Sequence, residues 1–153
     1  MKLDKHDRAI LSALQRDGRI ANSALAQAVA LSESACLRRV RALEESGLIE
    51  GYTARLSQPL AGYPVNVFVD ITLNRQAQTD LQSFEAAIKA IPEIMECYLM
   101  SGDSDYLLRV VVADTADFER IHSQLLTRLP GVARVHSSFA LRTVKRALEL
   151  PVA

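Results

Sequence analysis

The sequence predicts an α+β protein of two domains: an N-terminal winged helix-turn-helix domain and a C-terminal ferredoxin-like βαββαβ domain. Three observations predict it. Apolar residues recur at helical spacing up to Gly47, strict period-two alternation begins at Val65, and Ser57 to Pro64 between them carries Pro59, Gly62 and Pro64. The expected limits are residues 1–56, a linker over 57–64, and residues 65–153. A chain of 153 residues that is 49% hydrophobic and 24% charged has enough apolar surface for two small cores, which excludes a disordered chain.

In chain order, Asp4 caps a first helix, Asp7 favours its positive end, and Ile10, Leu11, Ala13 and Leu14 form its apolar stripe before Gly18 ends it. Asn22 caps a shorter helix carrying Leu25, Ala28 and Val29. Ala30-Leu31-Ser32 then leads into Ser32 to Gly47, where Ser32 is the N-cap and Gly47 the left-handed stop. On a helical wheel Cys36, Val40 and Leu43 share one sector, Ser34, Arg38, Arg41 and Glu45 lie opposite, and Ala35 and Arg39 flank that outer face. Taken alone, this is either a DNA recognition helix or an ordinary amphipathic helix with a solvated arginine face. The capped partner helix and short turn before it complete a helix-turn-helix and favour DNA.

Leu48 to Leu56 has the composition of a strand, suited to a wing or a tether. From Val65 to Leu73 apolar and polar residues alternate as a strand. Thr79 and Gln82 form a capping box for a helix with Leu81, Phe84, Ile88 and Ile91, which Pro92 stops. Ile94 to Met100 is a strand, Ser101 to Asp105 a turn, and Tyr106 to Ala113 a third strand. A helix capped by Asp114 or Thr115 carries Phe118, Ile121, Leu125 and Leu129, and a last strand runs from Val132 to about Val144. Ile91-Pro92-Glu93-Ile94 and Leu129-Pro130-Gly131-Val132 mark the same helix-to-strand handover in each half. On the third strand both alternating sets are largely apolar, so the sheet's open face suits a two-fold dimer packed sheet to sheet.

The charge pattern is compatible with DNA despite a formal net charge of zero. Arg19 to Leu43 holds four arginines against one glutamate, and a dimer doubles that local charge. With no apolar run near ~20 residues and no signal-peptide core at the N-terminus, the expected location is the cytoplasm, without a membrane partner. Cys36 and Cys97 lack metal or redox spacing and are expected as packing residues. His6 and His136 are expected at the surface and His122 beside a helix core. No nucleophile, metal cluster or phosphate-binding glycine loop accompanies them, so no enzyme, metal or cofactor is expected.

Over nearly its whole length the chain resembles the leucine-responsive regulatory protein (Lrp/AsnC) family. The resemblance rests on Leu3-Asp4-x-x-Asp7-x-x-Ile10-Leu11, on Leu31-Ser32-x-Ser34-x-Cys36-x-Arg38-Arg39-Val40-x-x-Leu43-Glu44-x-x-Gly47-Leu48-Ile49, and on Gly102-Asp103-x-Asp105-Tyr106-Leu107-Leu108. It implies a DNA-binding domain joined to an effector-sensing and oligomerisation domain, in dimers assembling further, often to octamers. It also implies an amino-acid effector that controls occupancy of double-stranded DNA at genes of amino-acid metabolism or transport.

The expected DNA-binding residues are Ser32, Ser34, Ala35, Arg38, Arg39 and Arg41. The expected effector residues are Gly102, Asp103, Asp105 and Tyr106 at the turn. Ser137, Ser138 and Phe139 are added because they match the region where relatives line or tune the pocket. In chemical terms, turn amides can receive an α-carboxylate and Asp103 or Asp105 an α-ammonium. Without the family, a plain hairpin turn with polar caps is the preferred reading of these residues, and the resemblance turns the balance to a ligand site. The tail Arg146-Ala147-Leu148-Glu149 departs from the threonine-containing tail of similar members. The rival function is an amino-acid-binding or protein-interaction module without sequence-specific DNA binding.

Overall fold

The computed structural model describes residues 2–152, which form two compact units. One comprises the chain up to Arg55 together with the tail from Val144; the other runs from Leu56 to Thr143. The tail was expected to belong to the second domain. It clusters with the first because Gln15 clasps both backbone atoms of Leu150, donating from Nε2 to the carbonyl (3.1 Å) and accepting from the N–H (2.6 Å), and because Val152 packs on the helical core.

The helical unit holds α1 (Lys5–Arg16), α2 (Asn22–Ala28) and α3 (Glu33–Glu45). A full capping box starts α1: Asp4 accepts from the N–H groups of His6 and Asp7, and Asp7 accepts from the Asp4 N–H. Asn22 is not the cap of α2. Ala21 holds that position without a side-chain bond, and the Asn22 amide instead donates to the Glu33 carbonyl at 3.0 Å, tying the start of α2 to the start of α3. Ala30 adopts φ 53°, so the turn between the two helices is made by an alanine in the left-handed region. The Leu31 N–H bonds the Ala26 carbonyl across this turn.

Ile10, Leu11, Leu25, Ala26, Val29, Cys36 and Leu43 form the core of this unit. Ala26 faces inward, while Ala28 is exposed. His6, expected at the surface, is half-buried with Nδ1 3.2 Å from the Val29 carbonyl. Gly47, at φ 77°, turns the chain after α3. Leu48 to Leu56 forms no strand. The segment is a tether, tacked to α3 by the Tyr52 hydroxyl donating to Glu44 at 2.9 Å. Among the described residues its own unit contains no strand, so its strand composition finds no partner there.

The second unit contains β1 (Val65–Leu73), α4 (Gln78–Ile88), β2 (Ile94–Leu99), β3 (Tyr106–Val112), α5 (Thr115–Gln124) and β4 (Val132–Phe139). The antiparallel order is β2-β3-β1-β4, the arrangement expected of a βαββαβ chain. Val67, Val69, Ile71, Leu108 and Val110 point to the helix side and meet Phe84, Ile88, Phe118 and Ile121. Phe84 is fully buried, so its truncation to Ala costs about 3–5 kcal/mol.

Asp114 caps α5 through the Asp117 N–H. The expected capping box at Thr79 and Gln82 is absent: α4 starts one residue before Thr79, and Ala77 caps it without a side-chain bond. The last strand also ends at Phe139, short of Val144: past the Val67–Phe139 pair a single further bond, from the Ala140 N–H to the Asn66 carbonyl, brings the pairing to the start of β1, which begins at Val65.

The open sheet face is more mixed than the β3 alternation implied. Arg109 on β3 bonds Glu96 (2.9 Å) and Asn66 (3.1 Å) on the flanking strands, beside the exposed Phe68 and Tyr98.

Candidate nucleic-acid interface and effector site

Ser32 caps α3 by accepting from the Ala35 N–H, and its Oγ lies 3.3 Å from that of Ser34. Because Cys36 and Leu43 are buried, the opposite face of α3 is turned to solvent. That face presents Ser34, Leu37, Arg38, Arg41, Ala42 and Glu45 along one shallow groove. Neither Arg38 nor Arg41 has a hydrogen-bond or ion-pair partner among the described residues, so both guanidinium groups are available to phosphate or base edges.

Arg39 is different. One guanidinium nitrogen reaches Asp4 and Asp7, each at 2.7 Å. It therefore ties α3 to the capped start of α1. The Asp4 carboxyl drops from 3.8 to about 2; the Asp7 N–H contributes most, burial opposes it, and Arg39 and the His6 N–H add to the lowering. Arg39 positions the helix through one guanidinium nitrogen, unlike Arg38 and Arg41, whose guanidinium groups have no partner among the described residues.

In the sheet unit, an open hollow of about 700 Å³ lies beside the β2–β3 turn, lined by Asp70, Thr72, Asp103, Ser104, Arg134, Val135, His136 and Ser137. Asp70 and Thr72 project from β1 opposite His136 and Arg134 of β4, and the Ser104 hydroxyl donates to Asp70 at 3.1 Å. Gly102, at φ 124°, permits the turn that brings Asp103 to this rim.

Of the expected effector residues, Asp103 lines the hollow and Ser137 borders it with its hydroxyl buried on the helix side. Asp105 and Tyr106 do not line it. Asp105 is 9% exposed, and its two oxygens accept from the Leu73 N–H and from Gln76 Nε2, both at 2.7 Å. Tyr106 points into the core, its ring 4.5 Å from that of Phe84 and its hydroxyl donating to Glu85 at 2.8 Å. Burial foremost, then the Glu85 carboxylate, raises that phenol.

Ser137, Ser138 and Phe139 cannot share one surface, because neighbours on a strand alternate. Ser137 and Phe139 stand opposite Val69 and Val67, on the helix side, and Ser138 stands opposite Phe68 on the open side. Ser137 Oγ is buried without a hydrogen-bond partner among the described residues, and Phe139 packs edge-on against Phe118 at 5.1 Å. Sequence reasoning missed Leu37 on α3 and Asp70, Thr72, Ser104, Arg134 and His136 in the hollow. The alternation of β1 carried the signal for Asp70 and Thr72, which must face away from Val69 and Ile71.

The winged helix-turn-helix DNA-binding family model matches residues 3–50, and the Lrp/AsnC ligand-binding-domain model matches residues 66–150. The chain belongs to the Lrp/AsnC family. It is 44% identical over 150 residues to the leucine-responsive regulatory protein of Salmonella typhimurium, covering 98% of this chain and 92% of that protein. It is 52% identical over 116 residues to an uncharacterised helix-turn-helix regulator of Sinorhizobium fredii, covering 76% and 91% of the two chains. The solved L-methionine complex of a Neisseria meningitidis transcriptional regulator superposes with a TM-score of 0.94 at 35% identity, covering 99% and 97%.

This Lrp/AsnC protein is thus a transcriptional regulator with a DNA-binding helix-turn-helix domain and a separate ligand-binding domain, and is not an enzyme. No helix among the described residues is long and apolar enough to cross a membrane.

Proposed function

We propose that the protein binds specific double-stranded DNA through α3 and that a small amino acid, held at the hollow beside Asp103, tunes that occupancy. The observation that carries the reading is the pairing of charges in the hollow: Arg134 stands among Asp70 and Asp103 on one open rim. A free amino acid carries one carboxylate and one ammonium, so it matches a guanidinium and a carboxylate presented together. Thr72, Ser104 and His136 add further polar groups around them. The L-methionine complex of the Neisseria regulator supports an amino acid as the ligand class.

In this reading Arg38 and Arg41 divide phosphate and base contacts, Ser32, Ser34 and Ala35 bring the start of α3 to the backbone, and Arg39 holds the helix in place. The sheet's open face, with Phe68 and Tyr98 exposed, pairs two chains so that two recognition helices meet two half-sites, and dimers assemble to an octamer. The protein acts in the cytoplasm on genes of amino-acid metabolism or transport. The DNA-binding domain spans residues 1–56 with the tail from Val144 strapped to it, and the sensing domain begins at Val65 after the 57–64 linker.

The test is a salt titration of binding to the region upstream of its own gene. Affinity should fall steeply with salt, and Arg38→Ala should make the slope of log K against log salt shallower by about 0.9 for each phosphate contact removed. An unchanged slope and affinity in a natively folded Arg38→Ala protein would overturn the assignment of α3.

A further inference from the structure

The outer face of α3 contains one large apolar side chain that neither the core nor the arginine chemistry uses. Leu37 is 38% exposed and lies in the same groove as Ser34, Arg38, Arg41 and Ala42. It sits one helical turn after Ser34 and one turn before Arg41, so it occupies the middle of the exposed face, with guanidinium groups on adjoining positions. A single exposed leucine on an arbitrary surface calls for no explanation. Here its neighbours include two cations without partners among the described residues. A ligand suited to this face carries negative charge for the two cations and an apolar group that can bury Leu37.

Duplex DNA meets both conditions at once. Phosphates flank the major groove, and inside the groove the thymine C5-methyl is the apolar group on offer. We propose that Leu37 is a specificity-determining residue that packs against a thymine methyl in each half-site while Arg38 and Arg41 hold the flanking phosphates and base edges. This rests on the reading of α3 as the DNA-contacting helix and adds a base preference that the arginines alone do not supply. Cytosine and guanine present no methyl there, so a leucine at this position disfavours them.

The experiment uses the full chain and a duplex selected by it from a randomised pool, with each thymine replaced in turn by deoxyuridine. That exchange removes one methyl and leaves every hydrogen-bonding group in place. The wild-type protein should lose about fourfold in affinity at one thymine per half-site, the equivalent of leaving one methyl unburied, and Leu37→Ala should bind the thymine and uracil duplexes equally.

Two results would overturn the inference alone: no thymine at which wild-type discriminates, or discrimination that persists in Leu37→Ala, while binding stays steeply salt-dependent. Loss of salt-dependent DNA binding altogether would instead overturn the reading of α3, and the inference with it.

Discussion

Replacing Asp105 by alanine separates a structural role from a ligand role at the β2–β3 turn. The carboxylate is 9% exposed and accepts from the Leu73 N–H and from Gln76 Nε2 at 2.7 Å each. Alanine would leave the Leu73 N–H buried without an acceptor, whereas the exposed Gln76 can turn its amide to water. A lost bond between a buried donor and a charged acceptor costs about 2–3 kcal/mol. For a domain of under about 100 residues each kcal/mol lowers the melting temperature by roughly 4–8 °C, so Asp105→Ala should melt roughly 10–20 °C below wild type by circular dichroism.

Asp105→Asn keeps one oxygen for the Leu73 N–H and should lose much less stability. It should also still respond to the amino-acid effector, while Asp103→Ala should lose the response with an unchanged melting temperature. The reasoning fails if Asp105→Ala melts within about 2 °C of wild type, or if a native-like Asp105→Asn loses the response while Asp103→Ala keeps it.

Two further expectations concern the bond between α3 and α1. Arg39→Ala should weaken DNA binding without making its salt dependence shallower, in contrast to Arg38→Ala, because Arg39 is engaged by Asp4 and Asp7; paired titrations of the two variants check this. The Asp4 carboxyl, lowered from 3.8 to about 2 in the folded protein, contributes stability that is present above pH 3.8 and is lost as pH falls towards 2. Unfolding of Asp4→Asn followed across that window should show a flatter acid limb than wild type, by a margin that shrinks in high salt because the pair is exposed.

The long periodic elements were legible because one periodicity served both local geometry and burial. Cys36, Val40 and Leu43 had to face a core, which turned Arg38 and Arg41 outward, and the alternation from Val65 to Leu73 put Val67, Val69 and Ile71 on the helix side of β1. Caps were less legible. Asn22 and Thr79 have the chemistry of N-caps, but Asn22 is used one residue later to bridge to Glu33 and Thr79 lies within α4.

The site suffered from a different ambiguity. An acidic residue beside a glycine turn serves equally to receive a ligand or to close the turn, and nothing in Gly102-Asp103-Ser104-Asp105 says which aspartate does which. Burial separates them, leaving Asp103 at the rim and Asp105 inside. Likewise Arg39 looked like Arg38 and Arg41 until the positions of Asp4 and Asp7 were known, and their separation of more than thirty residues in the chain gave no sequence signal. Arg134 and His136 enter the site only through the register of β4 against β1.

The central claim is that an amino acid bound in the sheet domain governs occupancy of DNA by α3. The most direct measurement is the affinity of the full chain for its selected duplex at fixed salt, with and without each amino acid that raises its melting temperature in a screen of the twenty. At least one amino acid should raise that temperature and change DNA affinity by roughly 5- to 150-fold, a coupling of about 1–3 kcal/mol. A chain that binds the duplex tightly but shows neither a thermal shift nor a change in affinity with any of the twenty would contradict it.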